Sequence, residues 1–272
     1  MATLVLLRHG RTTSNAAGTL AGHQPVELDE TGRAQASAVG ARLAASGVAP
    51  TFVISSPLIR CRQTVDLALP GCPAIDEPRL IECDYGDWSG GSLKKLAKEP
   101  LWKVVQAHPS AALFPGGESM AGMSARAIAA ARDWDARATD AGGPDTVVIA
   151  CSHGDVIKAI VADALGMHLD QFQRIAVDPA SLTVIRYTTV RPFLIRLNDI
   201  GGDLSMLKPP KRRHRRPASS DAAVGGGAGS GVAPIGVPAG DSVATEERRH
   251  RAASVTAGDG GIPTIDRIGS KA

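Results

Sequence analysis

The chain has 272 residues, enough for one or two domains, and 43% of them are hydrophobic, which supplies a sizeable core. No apolar run approaches the roughly 18 residues of a membrane-spanning helix, so membrane insertion is excluded. The N-terminal apolar stretch, Leu4 to Leu7, is too short for an export signal and lacks the basic residues that precede one. We therefore expect a cytoplasmic protein.

The charge is unevenly distributed. Residues 208–272 contain eleven Lys or Arg and six Asp or Glu, a net charge of +5, which leaves −2 for residues 1–207 out of a total of +3. Every aromatic residue lies at or before Phe193. The composition therefore predicts a folded domain over residues 1–205 and a disordered, basic and Gly/Pro-rich tail over 206–272.

The basic run Lys211–Arg216 has two interpretations. A solvated tail is the simpler one, because the run has no interleaved aromatic residues. A weak anionic partner, such as nucleic acid, anionic lipid or a phosphorylated protein, is the alternative. The four cysteines show neither CxxC nor zinc-finger spacing and are expected to be free thiols.

Strand and helix patterns alternate along residues 1–205. The continuous hydrophobicity of three short runs is typical of buried parallel strands: 3–7, 51–55 and 146–151. Helices are predicted between them, at 31–46, 57–69, 92–107, 118–139 and 155–166, and the runs 181–187 and 191–197 predict a hairpin. Ser56 and Pro57 are read as the cap and first residue of the second helix. The order predicts a three-layer α/β/α domain with a mostly parallel sheet and helices on both faces.

Polar residues follow each predicted parallel strand. Arg8 and His9 follow the first strand, Arg60 the second and His153 the third. Because such sheets place their sites at the carboxyl ends of the strands, we expect these side chains to meet at one edge. Glu82 lies in a separate segment, beside a glycine-containing turn.

This combination suits phosphoryl transfer. Arginine offers a planar fork of donors to phosphate oxygens, and a neutral imidazole can attack phosphorus and form a covalent intermediate. A second imidazole can donate to the oxygens as charge develops. A carboxylic acid can protonate the leaving oxygen and afterwards activate water. A zinc site built on the two histidines lacks further ligands at a suitable spacing.

Six stretches, taken together and in order, resemble the histidine phosphatase superfamily, also called the phosphoglycerate mutase-like family. They are LLRHGRTTSN at 6–15, LDETGRAQA at 28–36, SSPLIRCRQT at 55–64, LIECDYGDWSG at 80–90, PGGES at 115–119 and CSHGDVI at 151–157. The pattern is similar to that of actinobacterial proteins described as probable phosphomutases. The resemblance covers about residues 1–200 and implies the same mostly parallel fold.

The resemblance implies a role for each matching residue. His9 is the residue that is phosphorylated, and Glu82 matches the general acid. Asp84 and Asp87 lie nearby, and the alternative is that all three carboxylates only solvate a loop. The phosphate pocket comprises Arg8, Asn15, Arg60 and His153. No metal and no cofactor are implied.

The chain also departs from the family pattern. Arg11 stands where the family often has Glu, which suggests a preference for a second anionic group on the substrate. Phosphoglycerate mutases carry a long insertion with its own basic motif soon after the general acid, whereas GGSLKKLAKEP follows here and that motif is absent. We therefore expect a metal-independent phosphatase acting on a small phosphorylated metabolite, with a phosphomutase or a phospho-ligand binding module as alternatives. The oligomeric state stays open, a homodimer included.

Overall fold

The chain alternates strands and helices in this computed structural model, which describes residues 1–143, 145–201 and 225. The strands are β1 (Thr3–Arg8), β2 (Phe52–Ser55), β3 (Ile75–Asp76), β4 (Val147–Ser152), β5 (Leu182–Arg186) and β6 (Phe193–Asp199). The α-helices are α1 (Thr13–Ala17), α2 (Glu30–Ser46), α3 (Ile59–Ala68), α4 (Leu93–Leu96), α5 (Pro100–Ala107), α6 (Met120–Gly142) and α7 (Gly154–Ala164). Short 3₁₀ helices lie at Pro78–Leu80, Gly86–Trp88, Pro109–Ala111 and Leu169–Arg174.

All six strands join one sheet in the order β3-β2-β4-β1-β5-β6. β1 pairs in parallel with β4, and β4 with β2, so the carboxyl ends of these three strands lie at one edge. β5 pairs antiparallel with both β1 and β6. The sheet is therefore mostly parallel at its centre and ends in the predicted hairpin.

Alternate residues of the central strands enter two separate cores. Leu4 and Leu6 of β1 face the core that contains α6 and α7. Val5 and Leu7 face the core that contains residues of α2 and α3. Both faces of the sheet are covered, which explains the unbroken hydrophobicity of the strands. The predicted three-layer α/β/α class is confirmed.

Two local predictions were wrong. The helix expected to begin at Pro57 begins at Ile59, because Leu58 has extended backbone angles. Ser56 does not cap it through a strong bond and instead bonds a histidine of the site, described below. The helix expected over 92–107 is divided into α4 and α5, because Pro100 stands at the N-terminus of α5 and cannot continue α4.

The predicted tail, 206–272, lies outside the described residues except for Gly225. The boundary at residue 205 stays a prediction. In the part of the chain that the structure describes, no helix is long and apolar enough to cross a membrane.

Two glycines bring α2 against the loop that follows β1. A Cβ on Gly32 would lie 2.0 Å from the carbonyl oxygen of Arg11, and one on Gly10 would lie 2.4 Å from that of Gly32. Neither backbone can approach the other so closely if a side chain intervenes. The position of α2 therefore depends on both glycines.

We expect Gly32→Ala to destabilise the protein by about 1–3 kcal/mol, because the new methyl group overlaps backbone that cannot move aside cheaply. Urea unfolding checks this, with Ser37→Ala on the exposed face of the same helix as the control. Equal midpoints for the two variants would contradict the close approach.

Candidate active site

The carboxyl ends of the three parallel strands carry the buried polar residues of the site. Arg8 is the last residue of β1 and is fully buried. Its Nη1 donates to the carbonyl oxygen of Val177 at 2.7 Å. His9 follows directly, and its backbone N–H donates to the carbonyl oxygen of Ser152 at the end of β4, at 3.0 Å. The sheet thus positions both residues.

The hydrogen bond of the His9 ring defines its tautomer. Nδ1 lies 2.7 Å from the carbonyl oxygen of Gly10, which can only accept, so Nδ1 carries the proton. Burial, and then the charges of Arg60 and Arg8, hold the pKa of His9 well below its usual value. The ring is therefore neutral near pH 7, and its Nε2 carries a lone pair.

His153 packs beside His9, with ring centroids 5.2 Å apart. Its Nε2 lies 2.7 Å from Ser56 Oγ and 3.5 Å from the sulfur of Cys61, which packs beneath the ring. Burial, and then the charges of Arg60 and the neighbouring His9, hold the pKa of His153 well below its usual value. The site therefore contains two neutral imidazoles.

Arg60 lies in the first turn of α3 and is almost fully buried. Its guanidinium donates to the carbonyl oxygens of Gly22, at 2.8 Å, and Gln24, at 3.2 Å. The cation thereby organises the loop that forms one rim of the site.

Glu82 is 3% exposed although it lies in a segment without regular structure. Its Oε1 accepts a hydrogen bond from the N–H of Cys83 at 3.0 Å. Burial, and then the charge of Asp155, raises the pKa of Glu82 to about 7, against the opposing effects of the Cys83 N–H, Arg60 and Arg8. A carboxyl with this pKa can give and take a proton near neutrality.

The backbone of the Glu82 segment is held by side chains from elsewhere in the chain. Arg126 on α6 donates to the carbonyl oxygens of Arg79 and Ile81, each at 2.7 Å, and to that of Glu82 at 3.0 Å. His23 donates to the Glu82 carbonyl from the opposite rim, at 2.7 Å. These bonds explain how a loop residue keeps a defined position.

One cleft joins these groups. Its lining includes His9, Asn15, Arg60, Glu82 and Tyr85. Arg8 and His153 are fully buried beside it. The structure thus brings together all six residues predicted from the sequence. The side-chain oxygen of Asn15 also accepts from the N–H and hydroxyl of Thr12, which caps α1.

Several polar residues near these motifs have structural partners instead. Asp84 accepts from the N–H of Gly86 at 3.0 Å, and Asp87 is exposed, so Glu82 is the carboxylate of the three that lines the cleft. Arg62 is half-exposed and pairs with Asp76. The hydroxyl of Ser152 donates to the carbonyl oxygen of Leu80 at 2.7 Å.

Arg11, expected to favour a second anionic group, already has partners. Its Nε donates to Asp29 at 2.8 Å, and its Nη2 donates to the hydroxyl of Thr31 at 2.8 Å. The side chain therefore holds the beginning of α2, and its charge is balanced by Asp29. This geometry weakens the hypothesis of a substrate preference set by Arg11.

Sequence reasoning missed Tyr85 and Asp155. The Tyr85 hydroxyl donates to Asp155 Oδ2 at 2.8 Å, and Lys158 Nζ lies 3.4 Å from Oδ1 of the same carboxylate. All three side chains are buried. Tyr85 stands three residues after Glu82 and Asp155 two residues after His153, so proximity to the motifs was the available signal.

In residues 1–143 and 145–201, no three His, Cys, Asp or Glu side chains are grouped so that they could hold a metal ion.

The site combines two histidines, two arginines and the carboxyl group of Glu82 at one edge of a three-layer α/β fold. This combination is typical of a phosphate-processing protein, and comparison with known families agrees. The family model of the histidine phosphatase superfamily (branch 1) matches residues 4–200. The chain belongs to this superfamily.

Similar proteins include both phosphatases and mutases. A glucosyl-3-phosphoglycerate phosphatase of Mycolicibacterium vanbaalenii is 33% identical over 62% of this chain and 76% of its own length. A 2,3-bisphosphoglycerate-dependent phosphoglycerate mutase of Brucella ovis is 37% identical over 46% of this chain and 64% of its own. The solved structure of a mycobacterial glucosyl-3-phosphoglycerate phosphatase has a TM-score of 0.65 and 27% identity, covering 72% of this chain and 98% of its own.

The two buried imidazoles should make the stability of the fold depend on pH. Because the pKa values of His9 and His153 are lowered in the folded state, the unfolded chain binds more protons near and below its histidine pKa of 6.5. We expect the free energy of unfolding to decrease as pH falls below about 6.5. ¹⁵N NMR should show neutral His9 at pH 6 with the proton on Nδ1, the signal being assigned with His9→Ala. Titration of His9 near 6.5 would contradict this.

Proposed function

We propose that the chain is a metal-independent phosphatase that hydrolyses a small phosphorylated metabolite through a phosphohistidine on His9. The observation that carries the proposal is the neutral His9 ring, whose Nδ1–H is bonded to Gly10 so that Nε2 is left to attack. Two buried arginines and a carboxyl with a pKa of about 7 complete the set.

In the first step the Nε2 lone pair of His9 attacks phosphorus and forms a P–N bond. The P–O bond to the alcohol breaks, and the proton of Glu82 passes to the departing oxygen. The charge on the phosphoryl oxygens is stabilised by Arg8, Arg60, Asn15 and His153. The burial that keeps Glu82 protonated near pH 7 supplies the acid for this step.

In the second step the Glu82 carboxylate takes a proton from water, whose oxygen attacks phosphorus. The P–N bond breaks, inorganic phosphate leaves and Glu82 is again an acid. The same group serves both steps because its pKa lies close to neutrality.

The cleft that His9 and Glu82 line is open to solvent, and its empty space, counted with that open part, is about 320 Å³. The names of two similar proteins, a glucosyl-3-phosphoglycerate phosphatase and a phosphoglycerate mutase, support a phosphorylated hydroxy acid or a derivative as the first class to test.

A mutase is the second candidate, favoured by the 37% identity to a phosphoglycerate mutase. A mutase returns the phosphoryl group to an organic hydroxyl, so it must keep water out during transfer. The segment that follows the Glu82 loop, GGSLKKLAKEP at 90–100, lacks the basic motif of the insertion that phosphoglycerate mutases carry there. We therefore favour hydrolysis.

A third candidate is a phospho-ligand binding module with little turnover. It has no use for a carboxyl that is protonated near neutral pH, so the buried Glu82 argues against it.

The first test is release of inorganic phosphate from a panel of phosphorylated metabolites, without added metal. His9→Ala should lose at least about 10³-fold in kcat, because both steps need the imidazole. The matched control is His108→Ala, which changes an exposed histidine. Acid-labile phosphate on His9 in wild type, absent from the variant, should be seen by mass spectrometry.

Each result of this panel has a definite meaning. Isomerisation of the substrate without net phosphate release would replace hydrolysis by mutase chemistry. Unchanged phosphate release by His9→Ala would overturn the phosphohistidine mechanism.

The second test concerns Glu82→Gln. We expect a loss of about 10²–10⁴ in kcat/KM with an alkyl phosphate, whose leaving oxygen needs a proton. The loss should be much smaller with p-nitrophenyl phosphate, whose leaving group departs as the anion. Wild-type activity on the alkyl phosphate should decrease above about pH 7, as the acid form of Glu82 is lost. An equal loss with both substrates would contradict the role of acid.

A further inference from the structure

Gly225 lies in the same cleft as His9 and Glu82, although it is 25 residues beyond the end of the family match at residue 200. It belongs to the run VGGGAGSG at 224–231, which contains no charged side chain. Its contacts with the cleft are made by its backbone.

The Gly225 backbone pairs with two opposite charges. Its carbonyl oxygen accepts from Arg8 Nη2 at 3.3 Å, and its N–H donates to Asp155 Oδ2 at 3.0 Å. A peptide has both an acceptor and a donor, so it satisfies the cation and the anion together. A phosphoryl group would bond the arginine but would be repelled by the aspartate.

The backbone angle at this position favours glycine. Gly225 has a φ of 75°, in the left-handed region that other residues rarely adopt. A Cβ there would lie 2.8 Å from Leu20 Cδ1, so the end of that leucine side chain would have to shift.

We propose that the cleft is also a docking site for the chain's own Gly225 peptide, which competes with the phosphorylated ligand for Arg8. The carbonyl oxygen of Gly225 occupies a donor that a phosphoryl oxygen would use, so one must leave before the other binds. The inference rests on the proposed function only in that Arg8 binds phosphate.

The affinity of inorganic phosphate for the full chain measures the competition. If the peptide occupies the cleft in about nine molecules of ten, it weakens phosphate binding about tenfold. Gly225→Val, which cannot adopt the backbone angle, and Gly225→Pro, which also lacks the N–H, should bind phosphate about three- to tenfold more tightly by titration calorimetry. Gly240→Val is the matched control and should equal wild type.

Equal affinity of wild type and both Gly225 variants would overturn the proposal. Weaker binding by the variants would overturn it too, because the peptide would then assist the ligand. Hydrolysis of phosphorylated metabolites is measured on the same samples. A chain in which the Gly225 peptide competes with phosphate, but which hydrolyses no metabolite, would contradict the phosphatase proposal and leave the docking proposal intact.

A measurement without ligand separates the two proposals fully. The Gly225 amide of wild type should exchange its hydrogen about tenfold more slowly than in a free peptide of the same sequence, the ratio that nine-tenths occupancy predicts. Exchange as fast as in the free peptide would overturn the docking, whether or not the enzyme is a phosphatase.

Discussion

The burial of two arginine cations beside two histidines is the constraint on which the site depends. Burial lowers the pKa of Arg8, and the charges of Glu82, Asp178 and Asp155 oppose that effect. Backbone carbonyls satisfy the guanidinium groups, Val177 for Arg8 and Gly22 for Arg60. Burial, and then the field of these cations, holds the two imidazoles neutral, and the same field attracts an incoming anion.

The proposed acid illustrates how this field is balanced. Arg8 and Arg60 would make Glu82 a stronger acid, yet burial and the charge of Asp155 outweigh them. Asp155 is itself compensated by Lys158, at 3.4 Å, and by the Tyr85 hydroxyl. The chain thus places a second, paired carboxylate behind the cleft, and the proton affinity of Glu82 is the sum of these opposing influences rather than a property of its own loop.

Much of the site could be predicted from the sequence because parallel strands end at a common edge. Arg8 ends one parallel strand, and Arg60 and His153 follow the other two, which brings the three side chains to the same edge. Hydrogen bonds and ion pairs between side chains distant in the sequence could not be predicted in this way. Ser56 looked like a helix cap, but its hydroxyl bonds His153, 97 residues away. Arg11 was expected to favour a second anionic group on the substrate, but it forms an ion pair with Asp29. Gly225 had no signal at all, because a glycine-rich run carries no side chains from which a contact can be inferred.

The central position of β1 has a consequence for how the chain acquires its site during synthesis. The strand that ends in Arg8 is made first, yet its two neighbours are β4 and β5, with Thr3 beside Val147 and Arg186. The ribosome must therefore release nearly the whole domain before β1 is enclosed. Until then its apolar residues have no partner strand, and contacts of such long sequence separation form slowly. β1 is thus the strand whose apolar residues wait longest for their neighbours, and the one that most needs protection by chaperones.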